Sequence, residues 1–219
     1  MLTLYGHPFS RAHRVMWMLK ELGLAFDHVP TDFRGGATRT PEYLAINPNG
    51  RVPALVDDGL VLVESLAINL YLARKAGGPL APVNLAEDAL ATQWSFWVAT
   101  EVERPLLLAA ANLLLFPNEG RDPAQAAMAC AKLDRPFRVI DAHLSGRPFL
   151  LGDRFTVADL NVAAVMTLVP IAGVPIAAYP ALSRWLGECL ERPAAADWNS
   201  ITFTIPRPPT EAGVLAMFV

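Results

Sequence analysis

The sequence predicts an α/β domain followed by an all-α domain in one chain of 219 residues. Short apolar runs of strand type alternate with helical periodicity up to about residue 76. After Gly77-Gly78-Pro79 the strand signals largely vanish and long stretches of helical periodicity take over. With 53% hydrophobic and 18% charged residues, the chain has enough apolar side chains to fill the cores of both domains.

The first part of the chain predicts a strand, a helix and a second strand. Leu2–Tyr5 is a short apolar run of strand type. Apolar residues at every third or fourth position predict a helix over Arg11–Leu22, which Gly23 ends. A second strand is expected at Phe26–Val29, and the polar residues Thr31–Thr40 are expected to form a loop.

The next part predicts a β-hairpin and a helix. Asp58-Gly59 is a typical two-residue connection between a strand at Val52–Val56 and one at Leu60–Val63. Ser65 is the expected N-cap of a helix over Leu66–Arg74. The order β-α-β followed by β-β-α, on one sheet, is the predicted architecture of this domain.

The second domain is expected to consist of helices alone. Their approximate limits are 86–116, 123–144, 157–168 and 181–192. Thr156 and Asp159 form a helix start signal, in which the hydroxyl caps a backbone donor and the carboxylate complements the helix dipole. We expect domain limits of 1–76 and 87–198, with a linker at 77–86 and an irregular tail at 199–219.

Several classes of protein are excluded by the sequence. The uncharged run Leu160–Ser183 is long enough to cross a membrane as a helix, but Pro170, Pro175 and Pro180 would break it repeatedly. No basic stretch precedes the first apolar residues, so a signal peptide is not expected and the cytoplasm is the expected location. A net charge of −3 provides no basic field for nucleic acid. The expected partner is therefore small, or another protein.

The two cysteines carry no metal or redox signature. Cys130 and Cys189 lack the short spacing of a metal or redox pair, and two are too few for a disulfide framework. We expect both to be buried small side chains, and we expect no metal site.

Three features of the first domain point to a binding site for a peptide-like anion. Ser10 lies where a turn enters a helix, beside backbone donors that favour an anion, although a helix cap alone would also explain it. Pro53 at a strand start leaves the main chain of Val52 available for a peptide ligand. Glu64 and Ser65 together suit an amino-acid head group, because the carboxylate binds an ammonium and the hydroxyl, with the helix N-terminus, binds a carboxylate.

In combination these features strongly resemble the glutathione S-transferase family. The matching segments are Tyr5–Val15, Asn47–Leu55, Glu64–Leu72, Leu151–Leu160 and Tyr179–Trp185. The resemblance covers nearly the whole chain up to about Asp197 and is to a bacterial member of the cytosolic, serine type, similar to the theta, phi and zeta classes. It implies a thioredoxin-like first domain with a cis peptide bond before Pro53, a helical second domain, and a homodimer.

The resemblance also implies a set of glutathione-binding residues. Val52 and Pro53 would bind the cysteinyl part through the main chain, and Glu64 with Ser65 would bind the γ-glutamyl part. Asn49 and Arg51 are further candidate contacts. No cysteine stands at the position of Ser10, which argues against the classes that form mixed disulfides.

The catalytic group implied by the resemblance is the Ser10 hydroxyl, which would hydrogen-bond the glutathione sulfur. Tyr5 and His7 remain alternatives, because tyrosine-type members keep their phenol near the end of the first strand and His7 borders the same turn. Glutathione is then a co-substrate, and the expected reaction is attack of its thiolate on an apolar electrophile.

The electrophile pocket implied by the family lies between the domains. Its candidate residues are Phe9, Leu107, Ala111 and Phe116, with Phe203 or Phe218 in the tail. For each of them core packing is the alternative explanation.

Two alternative functions stay open. The first is another glutathione-dependent reaction, such as isomerisation, dehalogenation, or peroxide or disulfide reduction. The second is a non-catalytic binding or regulatory protein with the same fold.

Overall fold

The computed structural model of the chain describes residues 1–198. These residues form two compact units. The first comprises Met1–Ser95 together with Phe155–Ala164, and the second comprises Phe96–Arg154 together with the described residues from Val165 onward. The domain limits expected from the sequence stay a prediction, and the expected tail at 199–219 lies outside the described residues.

The first unit contains a four-stranded sheet in the order β2-β1-β3-β4. Its strands are β1 Leu2–Gly6, β2 Asp27–Pro30, β3 Ala54–Asp57 and β4 Leu60–Val63. β1 and β2 are parallel, whereas β3 is antiparallel to both β1 and β4. The predicted combination of a parallel β-α-β unit with a hairpin on the same sheet is therefore confirmed.

Helices accompany this sheet in the first unit. They are α1 Ala12–Glu21, α2 Pro41–Ile46 and α3 Ser65–Ala76. α1 and α3 are in contact with each other. The apolar face predicted for α1 is its core face, since Val15, Met18 and Leu19 are fully buried.

The helix α2 was not expected. The sequence analysis predicted a loop over Thr31–Thr40 and no helix between it and Asn47, but a helix occupies Pro41–Ile46. Thr40 is its N-cap, and the Thr40 side chain accepts a hydrogen bond from the Tyr43 N–H at 3.3 Å. Threonine at the N-cap with proline as the first helical residue is a favourable helix start, because the missing proline N–H has no partner inside the helix in any case.

Buried polar side chains join helical segments of the first unit. The Asn69 amide on α3 donates to the Arg14 carbonyl oxygen at 3.1 Å and to Asn161 Oδ1 at 2.9 Å. Asn161 in turn donates to the Ser95 hydroxyl oxygen at 2.9 Å. Asn69 and Asn161 are fully buried, so these hydrogen bonds satisfy groups that water does not reach.

The remaining helices largely follow the predicted limits. They are α4 Leu85–Trp97, α5 Glu103–Ala110, α6 Pro123–Leu144, α7 Val157–Met166, α8 Leu168–Ala172 and α9 Pro180–Leu190. The capping predicted for α7 is confirmed, since the Thr156 hydroxyl accepts from the Ala158 N–H at 3.3 Å and the Thr156 N–H donates to Asp159 Oδ2 at 2.9 Å. In the described part of the chain, no helix has both the length and the apolarity needed to span a bilayer.

The single helix expected over about 86–116 is divided. Between α4 and α5 the backbone forms a π-helical segment at Val98–Val102, and a second π-helical segment follows at Ala111–Leu115. Pro105 lies in the first turn of α5 and has no N–H to donate to the preceding turn. A wider turn before a proline is a usual way for a long helix to continue past it.

Candidate functional site

One edge of the sheet collects the residues singled out from the sequence. Tyr5 on β1 pairs with Ala54 on β3, and Ala54 pairs with Val63 on β4. Three segments therefore leave the sheet at the same edge, the one where β1 ends. They are the turn that follows β1, the residues that precede β3 and the residues that follow β4. Ser10, Val52-Pro53 and Glu64-Ser65 belong to these three segments.

Ser10 lies in the turn between β1 and α1. Its hydroxyl donates a hydrogen bond to the His7 carbonyl oxygen at 2.6 Å and accepts one from the Ala12 N–H at 3.1 Å. Ala12 is the first residue of α1, so Ser10 also satisfies a donor at the helix start. A nitrogen of the His13 ring lies 2.7 Å from the Ser10 carbonyl oxygen. Ser10 is half-buried at the positive end of the helix dipole.

The two alternatives to Ser10 lie close to the same turn. Tyr5 is half-buried, and its ring makes an edge-to-face contact with the Tyr43 ring at a centroid distance of 6.3 Å. The His7 ring packs beside the Phe9 ring, and His7 Nδ1 accepts a hydrogen bond from the Phe9 N–H at 3.2 Å. Because Nδ1 is the acceptor, a neutral His7 ring carries its proton on Nε2.

The peptide bond between Val52 and Pro53 is cis, as the resemblance implied. β3 begins at Ala54, one residue later than the proline, so the main chain of Val52 lies outside the paired register of the sheet. The preceding carbonyl, that of Arg51, receives two hydrogen bonds, from the Tyr43 hydroxyl at 2.6 Å and from the Asn47 side-chain amide at 2.7 Å. Asn47 also organises the turn, because its Oδ1 accepts from the Asn49 N–H at 3.1 Å.

Asn49 and Arg51 are both exposed. A third polar residue lies close to them, because the guanidinium of Arg39 packs against Gly50. A β-carbon placed on Gly50 would come within 2.5 Å of Arg39 Nη1. Arg39 is not among the site residues predicted from the sequence, because its closeness to Gly50 depends on the fold of the loop and has no local sequence signal.

Glu64 and Ser65 do not have the local structure predicted for them. Ser65 was expected at the N-cap, but it is the first residue of α3, and Glu64 occupies the cap position without a side-chain cap hydrogen bond. The Glu64 backbone has φ 69° and ψ 107°, a conformation that non-glycine residues rarely adopt. Strain of this kind is concentrated at functional positions in proteins.

Ser65 is nearly buried, with 3% of its surface exposed, and it contacts a buried cation. Arg14 Nη1 on α1 lies 3.4 Å from the Ser65 hydroxyl oxygen, and the Arg14 side chain is itself 5% exposed. The start of α3 and this guanidinium both place positive charge next to Ser65. The carboxylate of the neighbouring residue Glu64 is exposed. An anionic group, on Glu64, therefore lies next to a residue that contacts a cationic group, on Arg14.

The residues proposed for an electrophile pocket are divided between core and partly exposed positions. Phe9 in the first unit and Leu107 in the second are half-buried. Ala111 and Phe116 are fully buried in a core cluster of the second unit, with Ala110 and Leu115. For these two, core packing is the explanation that the described contacts favour. Phe203 and Phe218 lie outside the described residues.

Neither the cysteines nor the acidic and histidine residues form a metal cluster within residues 1–198. Cys189 is buried as expected, whereas Cys130 is only half-buried, so the expectation of two buried cysteines is wrong for Cys130. Burial raises the pKa of the Cys130 thiol above its ordinary value.

Tyr43 and Asn47 are the residues of the site that sequence reasoning missed. Tyr43 lies in the short helix α2 and Asn47 at its C-terminal end, and both side chains donate to the Arg51 carbonyl. Both residues are buried. Burial also raises the pKa of Tyr43 to about 12. The start signal Thr40-Pro41 was available in the sequence and predicts α2, but nothing local indicates which carbonyl the tyrosine reaches.

Comparison with known proteins gives a consistent result over both parts of the chain. Residues 1–74 match the family described as "Glutathione S-transferase, N-terminal domain", and residues 104–193 match "Glutathione S-transferase, C-terminal domain". The chain is 37% identical over 224 aligned positions to Glutathione S-transferase 3 of Zea mays, covering 95% of this chain and 96% of that protein. It is 32% identical to Glutathione S-transferase GstB of Escherichia coli K12, covering 89% and 95% respectively.

A solved structure extends the comparison to three dimensions. The theta class glutathione S-transferase from the citrus canker pathogen Xanthomonas axonopodis pv. citri, with glutathione bound, superposes with a TM-score of 0.82. It is 30% identical in sequence, and the match covers 93% of this chain and 99% of that one.

Proposed function

Since the chain belongs to the glutathione S-transferase family of enzymes, we propose that it binds glutathione at the sheet edge beside Ser10, Val52 and Glu64 and activates the thiol for attack on an apolar electrophile. The observation that carries this proposal is the pairing of Tyr5, Ala54 and Val63, which brings three sequence segments to one edge. Glutathione bound in the Xanthomonas structure supports the same ligand here.

The tripeptide is proposed to lie across these segments. Its γ-glutamyl ammonium is assigned to the exposed Glu64 carboxylate, and its γ-glutamyl carboxylate to Ser65 and the start of α3, with the buried Arg14 cation behind them. The cysteinyl part is assigned to the main chain of Val52, which the sheet leaves unpaired. Asn49, Arg51 and the neighbouring Arg39 are the proposed contacts for the glycyl end, whose carboxylate is negative.

Ser10 is proposed as the group that activates the thiol. Its hydroxyl has one proton, which is donated to the His7 carbonyl oxygen at 2.6 Å. On binding, we expect the hydroxyl to turn and donate to the glutathione sulfur. Tyr5 and His7 remain the alternatives for this role, since both border the same turn.

The free energies involved are sufficient. Lowering a thiol pKa from about 8.5 by about two units requires about 2.7 kcal/mol of preference for the thiolate. A hydrogen bond to a charged group contributes about 1.5 to 3 kcal/mol, and a helix N-terminus about 0.3 to 1 kcal/mol. Ser10 together with the start of α1 therefore accounts for a thiolate near neutral pH.

The proposed chemical step is nucleophilic attack by this thiolate. Its proton passes to solvent, the sulfur forms a bond to an electrophilic carbon, and with an aryl halide the halide leaves with the bonding electron pair. The protein contributes the orientation of the two reactants and the stabilisation of the thiolate. Among the described residues, the half-buried side chains of Phe9 and Leu107 stay candidates for contact with an apolar electrophile.

A homodimer is also proposed. Leu60 and Val61 on the edge strand β4 are 46% and 42% exposed, and Leu90 on α4 is 41% exposed. A contiguous patch of exposed apolar side chains marks an association surface, and the proposed interface would join these three in one patch. Sedimentation analysis at low protein concentration tests this assembly, and a purely monomeric protein would contradict it.

The proposed location is the cytoplasm, where thiols are kept reduced.

The decisive experiment is titration of the chain with glutathione, followed by calorimetry and by the ultraviolet absorbance of the thiolate as a function of pH. We expect saturable binding and a thiol pKa below that of free glutathione, together with conjugation of a generic aryl halide. Binding without a lowered thiol pKa would favour a non-catalytic binding protein. No binding at all would overturn the proposed function.

A further inference from the structure

The carbonyl oxygen of Arg51 is held by two buried side chains. The Tyr43 hydroxyl donates to it at 2.6 Å and the Asn47 amide at 2.7 Å. Tyr43 is 4% exposed and Asn47 is 2% exposed. One donor is enough to satisfy a carbonyl, but two donors on its two lone pairs also fix the direction in which it points.

Fixing this carbonyl fixes the N–H group of the next residue. The peptide bond between Arg51 and Val52 is trans, unlike the bond that follows it. In a trans peptide the C=O and the following N–H lie in one plane and point in opposite directions. Tyr43 and Asn47 therefore determine the direction of the Val52 N–H, although neither side chain bonds to Val52 itself.

We propose that Tyr43 and Asn47 are positioning residues for glutathione, which hold the Arg51–Val52 peptide plane so that the Val52 N–H faces the cysteinyl part of the ligand before it arrives. This inference rests on the proposed function, because it concerns the same binding edge. It adds α2 to the site, through two side chains that need not touch the ligand.

The environment of Tyr43 suits this role. Its pKa, raised to about 12 by burial, keeps the hydroxyl protonated and able to donate at any physiological pH. The Tyr43 ring also packs edge-to-face on the Tyr5 ring of β1, which ties α2 to the central sheet. Binding to a donor that is already oriented costs less conformational entropy. The hydrogen bonds from Tyr43 and Asn47 are therefore expected to increase the affinity for glutathione.

The first test uses Tyr43→Phe, which removes one donor and leaves the Asn47 hydrogen bond to satisfy the carbonyl. We expect the Kd for glutathione, measured by calorimetry, to rise about three- to tenfold, as for the loss of one buried hydrogen bond. The KM for glutathione should rise by a similar factor while kcat for an aryl halide stays within about twofold, because the thiol-activating groups are intact.

The matched control is Tyr71→Phe. Tyr71 also donates a 2.6 Å hydrogen bond, but to Asp57 at the far end of β3. We expect its glutathione Kd to equal that of the wild type. An equal loss of affinity in both variants would mean that any lost tyrosine hydroxyl weakens the fold and the site together, and would overturn the inference.

A second variant separates the two roles of Asn47, which are to donate to the Arg51 carbonyl and to organise the turn at Asn49. Asn47→Asp keeps an oxygen that accepts from the Asn49 N–H but removes the amide that donates to Arg51. In the unliganded protein we expect the ¹⁵N–¹H resonance of Val52 to shift in both Asn47→Asp and Tyr43→Phe, with far-ultraviolet circular dichroism unchanged.

The outcomes distinguish the two proposals. If wild-type protein binds no glutathione, the proposed function fails. If wild-type protein binds glutathione and Tyr43→Phe binds it equally well, or if the Val52 resonance is unchanged in both variants, the positioning role fails while the proposed function stands.

Discussion

The Ser10 hydroxyl and the His7 carbonyl oxygen form a hydrogen bond of 2.6 Å within the turn that follows β1. The single hydroxyl proton is therefore engaged in a hydrogen bond inside the protein. Donation to a sulfur requires this hydrogen bond to be exchanged for the new one. The exchange is favourable when the sulfur is a thiolate, because hydrogen bonds to charged acceptors are about twice as strong as neutral ones.

We expect Ser10→Ala to raise the pKa of bound glutathione thiol by about one to two units, the equivalent of one charge-assisted hydrogen bond. Conjugation at neutral pH should fall about 10- to 100-fold, as measured with an aryl halide. Ser10→Thr retains the hydroxyl and should keep most of the activity, and Tyr5→Phe should change little. Wild-type turnover in Ser10→Ala would transfer the role to another group.

Glu64 offers a test that separates backbone strain from side-chain chemistry. Glycine adopts φ 69° and ψ 107° more easily than any other residue, so Glu64→Gly should be about 1 kcal/mol more stable than Glu64→Ala in urea unfolding. Both variants lack the carboxylate and should lose glutathione affinity to the same extent. Equal stability of the two variants would show that the strain is small, and full affinity in either would remove Glu64 from the site.

Gly6 is expected to be intolerant of any side chain. A β-carbon there would lie 2.4 Å from the Ala12 β-carbon, and its φ of 155° is unfavourable for other residues. We expect Gly6→Ala to lower the free energy of unfolding by about 2 to 5 kcal/mol, from overpacking and strain together.

Gly23 provides the control for this substitution. It has a positive φ of 61° but no atom within 4 Å of an added β-carbon, so Gly23→Ala should cost only about 1 kcal/mol. Equal effects at the two positions would contradict the packing argument for Gly6.

Asp57 should make the stability of the fold sensitive to acid. Hydrogen bonds from Lys75 and then Tyr71 lower the pKa of this buried carboxyl below its ordinary value. A carboxyl with a lowered folded pKa stabilises the fold above its unfolded pKa, about 3.9, and that stabilisation is lost as the pH falls through the folded pKa.

We therefore expect Asp57→Asn to be less stable than wild type at pH 7, with the difference shrinking below about pH 4. Thermal unfolding over this pH range measures it. Asp58→Asn is the control, since the Asp58 carboxylate is exposed and asparagine tolerates the positive φ at this position. A difference between Asp57→Asn and wild type that does not depend on pH would contradict the role of the carboxyl charge.

Much of the first unit was predictable because its signals are local. Alternation of strand and helix patterns, the hairpin at Asp58-Gly59 and the apolar face of α1 each depend on residues close in sequence. The helix α6 was predicted over its full range, Pro123–Leu144. The segments of the candidate site could be chosen from the sequence because they resemble a known family.

The parts that could not be predicted depend on contacts between distant residues. The hydrogen bond from Tyr43 to the Arg51 carbonyl and the closeness of Arg14 to Ser65 are results of the folded chain. α2 has only six residues, too few to establish a periodicity, so its one local sequence signal is the helix start at Thr40-Pro41. The π-helical segments beside α5 have the same apolar repeat as an α-helix over so short a distance, so the sequence pattern does not separate the two.

The alignment of Tyr5, Ala54 and Val63 across the sheet has a practical consequence for refolding work. A slip of β3 by one residue against β1 would turn its side chains to the opposite face and move Val52 away from Ser10. Recovery of the proposed glutathione binding would then report strand register, which circular dichroism does not distinguish. Retention on immobilised glutathione would separate molecules with the native β3 register from molecules with a shifted register in a single chromatographic step.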